Sequence, residues 1–301
     1  MTRSILVNFH LYTPFGKEFY SPMLDFFLKQ MKEFEDEYDH LYLLDSNWEI
    51  EPEKIKDMKA SIIRTNPHMR YYDAYKSVLS MVKENAVLFM DNDMIVYRKG
   101  IIGYIFSNLI PYDVATIMDT IGTWKSDKLK LGNKFCPYWF AAGKELLMKY
   151  LSVDWSPDSM PDFETLGKLT KAMVEDGVRV KELEDDKSSL LFDNSESYSD
   201  NISKGRDLGY YHIRGGSLPA YLLATKKYGD IKTYNDYIEK QPKSEYLRHC
   251  AWFDYMNEKV NEGIWKYSGK ADEFLVMLQD MGVALTEWVS YMNKFKEYHA
   301  I

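Results

Sequence analysis

Two aspartates separated by one residue stand directly after an apolar run in the first third of the chain. Residues 86–90 are continuously apolar, as in a buried strand, and Asp91 and Asp93 follow them. Alternate side chains of an extended chain point the same way, so both carboxylates can face one cation. Mg²⁺ and Mn²⁺ prefer such oxygen ligands, and Mg²⁺ is commonly shared between carboxylates and substrate phosphates. The pair therefore indicates a site for a divalent metal and a phosphorylated ligand, although a solvated turn can carry the same residues.

A second group of residues suited to phosphate chemistry follows the aromatic pair at residues 210–211. His212 offers an imidazole and Arg214 a planar cation. Gly215 and Gly216 permit close approach of the backbone, and Ser217 marks an expected helix start with free N–H groups. Together these groups suit an anionic diphosphate, whereas His212 taken alone is as well explained as a structural histidine.

The Asp-x-Asp motif after an apolar strand, about ninety residues into an α/β chain, resembles the DxD motif of GT-A glycosyltransferases. In that family the aspartates hold a divalent metal that clamps the donor diphosphate. The resemblance implies Mn²⁺ or Mg²⁺ on Asp91 and Asp93, Asn92 near the donor, and the late His212 completing the metal shell. Arg214 would stabilise the leaving diphosphate. The order of elements agrees over about residues 4–217, but glycogenin-like enzymes carry a lysine, proline and tryptophan after the histidine, which this chain lacks.

The resemblance also implies a nucleotide-binding set at the ends of the first strands and around the helix that precedes the DxD strand. Its members are Asn8, Phe9, His10, Asp45, Arg64, Asn66 and Arg70. The strand-end residues are expected at the base and ribose, and Arg64, Asn66 and Arg70 at the donor sugar or phosphate. Structural alternatives are equally good: Asn66 before Pro67 is typical of a helix N-cap, and Arg70 of a solvated helix residue.

A candidate catalytic base lies just before a predicted helix at residues 163–176. Inverting GT-A enzymes place an Asp or Glu late in the domain to deprotonate the acceptor hydroxyl. Asp158, Asp162 and Glu164 occupy that region, with Asp162 as the first choice. The alternative is that Asp162 caps the helix and Glu164 complements its dipole. Trp124, Tyr138 and Trp139, in the irregular segment 119–162, are candidates for stacking on a sugar.

Alternating strand and helix patterns position these residues. Strands are predicted at residues 5–11, 40–44, 60–64, 86–90, 113–118 and 178–183, and helices at 19–34, 67–82, 99–109 and 163–176. Strands separated by helices imply a mostly parallel sheet, and such sheets bind ligands at the carboxyl ends of their strands. Asp45, Asn66 and Asp91 lie just past such ends.

The predicted fold is therefore α/β of the GT-A type, a Rossmann-like and mostly parallel sheet flanked by helices, with a C-terminal helical extension. Residues 1–230 are assigned to a nucleotide-sugar-binding catalytic domain and residues 231–301 to the extension. The helices of the extension are expected to pack on the domain or on a partner chain, in which case the protein forms a homo-oligomer.

The amino-acid composition and the net charge limit the classes of molecule that the protein is expected to bind. The 301 residues are 46% hydrophobic, and the net charge of −8 argues against nucleic acid or an anionic membrane as partner. A donor diphosphate would be repelled by this charge unless a cation intervened. Cys136 and Cys250 fall in no metal or redox spacing, no signal-peptide core is present, and no apolar run reaches the ~18 residues of a membrane span. A cytoplasmic location without a transmembrane segment is expected.

The predicted activity is that of a metal-dependent glycosyltransferase of the hexosyltransferase type. The donor is a nucleotide-diphosphate sugar, expected to be a UDP-sugar, and the acceptor a hydroxyl, expected on a carbohydrate. One alternative is a haloacid-dehalogenase-like phosphotransferase, but those enzymes follow the second aspartate with x-Thr where this chain has Met94-Ile95. A nucleotidyltransferase shares the metal logic but usually opens with a glycine-rich basic loop, which this sequence lacks. A GT-A-like module that binds nucleotide sugars without turnover is the non-enzyme alternative.

Overall fold

A computed structural model of the chain describes residues 1–10, 17–46, 48–96, 99–119, 134–155, 166–183 and 210–212. The chain divides into two compact units. The first comprises Met1–His10, Phe34–Asn92 and Gly100–Asp185, and the second comprises Leu11–Glu33, Asp93–Lys99 and Asp186–Ile301. The predicted boundary at residue 230 and the helical extension lie outside the described residues.

Seven strands of the first unit form one sheet. They are β1 (Arg3–His10), β2 (His40–Ser46), β3 (Ala60–Arg64), β4 (Ala86–Met90), β6 (Val114–Asp119), β7 (Lys134–Gly143) and β8 (Val180–Glu182). Their order across the sheet is β3-β2-β1-β4-β7-β6-β8. Every pair is parallel except the two that β7 makes with β4 and β6. The second unit contributes β5 (Met94–Val96) and β9 (Tyr210–His212), which pair with each other.

Helices cover the sheet because its central strands are apolar on both faces. All five residues of β4 are buried, as are the six inner residues of β1. The first unit carries α2 (Tyr71–Val78), α3 (Ile101–Ser107), α4 (Lys144–Lys149), α5 (Gly167–Glu175) and a 3-10 helix (Pro52–Ile55). Side chains of α2, α4 and α5 join one core cluster with β1, β2, β4 and β7, while α3 packs on β6. The predicted α/β class, with a mostly parallel sheet flanked by helices, is confirmed.

Strand β7 corrects the prediction of an irregular insertion over residues 119–162. Phe140 of β7 lies opposite Phe89 of β4, with the two rings stacked at 5.5 Å. The register with β6 shifts near Pro137, whose missing N–H interrupts a ladder, and the apolar run shows no alternation. Trp139 is fully buried on this strand, so its predicted stacking on a sugar is wrong. Trp124 and the side chain of Tyr138 lie outside the described residues.

Two helix starts also differ from the predictions. Helix α2 begins only at Tyr71, because Asn66 caps a turn instead: its Oδ1 accepts a hydrogen bond from the His68 N–H at 2.9 Å. The N-cap residue of α5 is Leu166, so the helix-cap alternative for Asp162 is not supported. No helix in the described part of the chain is long and apolar enough to cross a membrane.

Candidate functional site

The carboxyl ends of the parallel strands β1, β2, β3 and β4 lie at one edge of the sheet. The register sets Phe9 opposite Asp45 and Val7 opposite Met90. The strand order reverses between β1 and β4, since β2 and β3 continue on one side of β1 while β4 joins its other side. Open α/β sheets bind ligands in the crevice outside such a switch point. Asp91, the first residue after β4, therefore stands where the fold itself favours a ligand.

Two tyrosines of α2 connect the ends of β1 and β4. The Tyr71 hydroxyl donates to Asp91 Oδ1 at 3.0 Å and lies 3.4 Å from the carbonyl oxygen of Asn8. The Tyr71 carbonyl accepts from Asn8 Nδ2 at 2.8 Å. The Tyr75 hydroxyl accepts from the Asn8 N–H at 3.1 Å and lies 3.4 Å from the carbonyl oxygen of Met90. One helix thus holds the backbone of both strand ends and the side chains of Asn8 and Asp91.

The electrostatics of this network keep both phenols protonated. Burial, and after it the negative charge of Asp91, raises the pKa of Tyr71 well above its ordinary value. The same two causes, in the same order, raise the pKa of Tyr75. The Tyr71 hydroxyl therefore remains a hydrogen-bond donor to Asp91 throughout the physiological pH range.

Asn8 is fully buried, and its side-chain amide nitrogen and oxygen differ in their hydrogen bonding. Its Nδ2 is used by the Tyr71 carbonyl, while its Oδ1 has no hydrogen-bond partner among the described residues. A buried acceptor without a partner is uncommon in folded proteins. His10 packs edge-on to Tyr71 with ring centroids 6.3 Å apart, and burial lowers its pKa, which favours the neutral imidazole. Phe9 is buried edge-on against Trp48, which gives its ring a packing role.

Asp45 organises the loop after β2. Its Oδ1 accepts from the N–H groups of Trp48 at 2.8 Å and Glu49 at 3.1 Å, and its Oδ2 from the N–H of Ile50 at 2.6 Å. The Arg64 guanidinium pairs with the same Oδ2 and also donates to the Ile50 carbonyl at 2.6 Å. These four donors use the lone pairs of both carboxylate oxygens. The geometry favours a structural role for Asp45 and Arg64, and their contact with the nucleotide stays a prediction.

Arg70 stands at the start of α2 and is engaged by two carboxylates. Its Nε lies 2.6 Å from Asp73 Oδ2, and its Nη2 lies 3.1 Å from Asp154 Oδ1. More than half of the Arg70 side chain is exposed. A donor phosphate would have to compete with these carboxylates, and the predicted contacts of Arg70 and Asn66 with the donor remain untested predictions.

In the second unit, Asp93 precedes β5 and is 7% exposed. Strand β5 pairs antiparallel with β9, which sets Met94 opposite His212 in the backbone register. Gln30 is fully buried on α1 (Lys17–Glu33). Its side-chain amide makes the two kinds of hydrogen bond to the β5 backbone that an adjacent strand would make. Its Nε2 donates to the Met94 carbonyl at 3.0 Å, and its Oε1 accepts from the Val96 N–H at 2.7 Å. Sequence periodicity could place Gln30 on a helix but held no signal for this bond.

Replacing Gln30 with alanine is expected to leave the Met94 carbonyl and the Val96 N–H without their partner. Each unsatisfied buried group costs about 1–3 kcal/mol, so the free energy of unfolding should fall by about 2–6 kcal/mol. The urea midpoint measures this loss, and hydrogen exchange at Val96 reports it locally. Lys29→Ala, one residue away and exposed, is the control and should change neither. Unchanged exchange at Val96 in Gln30→Ala would contradict the bond.

The predicted metal ligands can be followed only in part. Strand β4 ends at Met90 and a turn includes Asn92 and Asp93, so the side-chain alternation of an extended chain does not apply to the two aspartates. Within the described residues, no three His, Cys, Asp or Glu side chains come together as a metal site. The side chain of His212 lies outside that part. Other predicted site residues also lie outside it: Asp158, Asp162, Glu164, Arg214, Gly215, Gly216 and Ser217.

Comparisons with known proteins give distant structural similarity only. No protein-family model and no curated protein matches the sequence. A nucleotidyl transferase from Methanothermobacter is similar at 15% identity and a TM-score of 0.40, over 60% of this chain and 86% of that chain. A 2-C-methyl-D-erythritol 4-phosphate cytidylyltransferase from Thermus thermophilus has 11% identity and a TM-score of 0.40, over 62% and 90% of the two chains.

A third similar structure is a candidate nucleotide-diphospho-sugar transferase from Desulfovibrio desulfuricans. It has 15% identity and a TM-score of 0.41, over 69% of this chain and 94% of that chain. At these values the similarities identify neither a family nor an activity for this protein.

Proposed function

We propose that the protein is a metal-dependent glycosyltransferase that transfers a sugar from a nucleotide-diphosphate sugar, expected to be a UDP-sugar, to a hydroxyl of a carbohydrate acceptor. The observation that carries the proposal is the arrangement at the strand-order reversal. There the Asp91 carboxylate, held by Tyr71, follows β4, and the buried Asn8 acceptor lies near the carboxyl end of β1. A carboxylate for a metal-bound diphosphate beside an acceptor for a nucleobase N–H suits a nucleotide-diphosphate ligand.

Asp91, Asp93 and His212 are proposed to hold Mn²⁺ or Mg²⁺. The donor set fits these ions, because carboxylate oxygens are the ligands that both prefer. The backbone pairing of Met94 with His212 supports the inclusion of His212, which the sequence alone separates widely from Asp93. When bound, the metal would neutralise the donor diphosphate, which a protein of net charge −8 otherwise repels.

The nucleotide side of the proposal rests on Asn8 and His10. Asn8 Nδ2 is fixed by the Tyr71 carbonyl, which leaves Oδ1 to accept a hydrogen bond from an N–H of the base. His10, with its neutral imidazole favoured by burial, follows two residues later on the same strand and can bind the ribose without adding charge. Both residues lie within the last three positions of β1, next to the strand that leads to Asp91.

The chemical step is proposed from the sequence. Arg214, with the backbone of Gly215, Gly216 and Ser217, would stabilise the negative charge that grows on the leaving diphosphate. Asp162, or its neighbours Asp158 and Glu164, would accept the proton of the acceptor hydroxyl.

The test is incubation of the protein with a panel of UDP-, GDP- and CDP-sugars and Mn²⁺. We expect slow release of nucleoside diphosphate and free sugar, because water replaces the missing acceptor. This release should disappear with a chelator and in Asp91→Asn. A second arm supplies nucleoside triphosphates with sugar 1-phosphates. Pyrophosphate release in that arm alone would identify nucleotidyl transfer instead, and tight metal-dependent binding without turnover would identify a binding module.

A further inference from the structure

We propose that Tyr71 is a positioning residue for the metal site: its hydroxyl holds the Asp91 carboxylate in one orientation, so that the cation meets a preorganised ligand. This inference rests on the proposed function, since it requires Asp91 to bind the metal. Sequence periodicity accounts for Tyr71 only as part of the apolar face of α2. Its hydroxyl is the part of the side chain that the apolar pattern leaves unexplained.

The position of the Tyr71 hydroxyl is determined by contacts that do not involve Asp91. Its ring packs edge-on against Tyr72 at 5.0 Å and Tyr75 at 5.6 Å between ring centroids. Its carbonyl oxygen is held by Asn8 Nδ2 at 2.8 Å, which ties the start of α2 to the end of β1. A hydroxyl on such a supported ring has little freedom to follow a moving carboxylate. The fixed hydroxyl therefore determines the orientation of the Asp91 carboxylate that it binds.

The Tyr71 hydroxyl contacts one of the two oxygens of the Asp91 carboxylate. The hydroxyl donates to Oδ1 at 3.0 Å and occupies one acceptor position of that oxygen. An aspartate that follows a strand end can otherwise adopt several rotamers, and a metal would have to select one of them at an entropic cost. Partners that orient a metal ligand typically change metal affinity 10–100-fold.

The test compares Mn²⁺ binding to the wild-type protein and to Tyr71→Phe, measured by the electron paramagnetic resonance signal of free Mn²⁺. Phenylalanine keeps the ring and its packing and removes only the hydroxyl. We expect the Kd for Mn²⁺ to rise about tenfold. Circular dichroism and the melting temperature of the metal-free protein show whether the fold is retained.

Tyr150→Phe is a matched control within the same unit. The Tyr150 hydroxyl donates to Asp176 Oδ2 at 2.8 Å, so it is also a largely buried tyrosine on a carboxylate, in a pair that binds no proposed ligand. Because Asp176 is exposed, loss of the Tyr150 hydroxyl should lower the melting temperature of the metal-free protein by no more than Tyr71→Phe does. It should leave the Kd for Mn²⁺ unchanged, which separates positioning from general stability.

The outcomes distinguish this inference from the proposed function. Wild-type protein that binds no Mn²⁺ would overturn both. Binding that is lost in Asp91→Asn but unchanged or tighter in Tyr71→Phe would overturn only the role of Tyr71. An equal rise of the Kd in Tyr71→Phe and Tyr150→Phe would also overturn it, because the effect would then follow stability.

Discussion

Replacing Asp93 with alanine is expected to abolish the metal-dependent part of UDP binding while the far-UV circular dichroism spectrum stays unchanged. The variant removes one of two proposed carboxylate ligands, and removal of a ligand should exceed the effect of removing its hydrogen-bond partner. We expect the Kd for UDP in the presence of Mn²⁺ to rise at least about 100-fold, or about 2.7 kcal/mol. Isothermal titration calorimetry with and without Mn²⁺ measures the metal-dependent and the metal-independent affinity for UDP. The backbone of β5 should persist, since Gln30 and β9 hold it without the Asp93 side chain.

Two further variants make this result specific. Asp93→Asn keeps the size of the buried side chain and should weaken metal-dependent binding nearly as much as alanine does. Asp39→Ala removes one negative charge from an exposed carboxylate that pairs with Arg3, and it should leave UDP binding unchanged. Metal-dependent affinity that survives in both Asp93 variants would exclude Asp93 as a ligand.

Asp45→Ala should have the largest effect on stability. Asp45 is 2% exposed, and its loss leaves the N–H groups of Trp48, Glu49 and Ile50 without their acceptor. Glu49 also has a backbone φ of 50°, in the left-handed region, and loses the bond that helps to hold it there. Each buried N–H group left without an acceptor costs about 1–3 kcal/mol, so the three together should cost at least about 3 kcal/mol, a large part of the roughly 5–15 kcal/mol that stabilises a typical protein.

The matched control for Asp45 is Asp113→Ala. Asp113 also pairs with an exposed arginine, Arg179, at 2.9 Å, but the Asp113 side chain is itself 36% exposed, whereas that of Asp45 is 1% exposed. Its loss should cost about 1 kcal/mol or less because water screens the pair. Urea midpoints of the two variants test the difference. Equal midpoints, or full stability of Asp45→Ala with lost UDP binding, would refute the structural role and favour the predicted nucleotide contact.

Much of the fold was accessible from the sequence because its signals are local. The apolar runs of β1 and β4 and the helical spacing of Tyr71, Tyr75 and Val78 each lie within a short window. Such windows report burial directly, and strands alternating with helices leave few topologies besides a mostly parallel sheet. The apolar strand before Asp91 was predicted from the same kind of signal. The metal and nucleotide roles of the candidate residues stay predictions.

What the tertiary structure decided are the pairings between distant segments. Strand β7 lies between β4 and β6, and Met94 lies opposite His212. Both pairings depend on which strands come together across long stretches of intervening chain. No local pattern encodes that choice. The roles of polar side chains depend on the same tertiary packing. Asp45 accepts hydrogen bonds from backbone N–H groups of the loop after β2, and the Tyr71 hydroxyl donates to Asp91, because packing brings these atoms within hydrogen-bond distance. Residue type and spacing therefore predicted where chemistry is expected, and only the packed structure decided which atoms meet there.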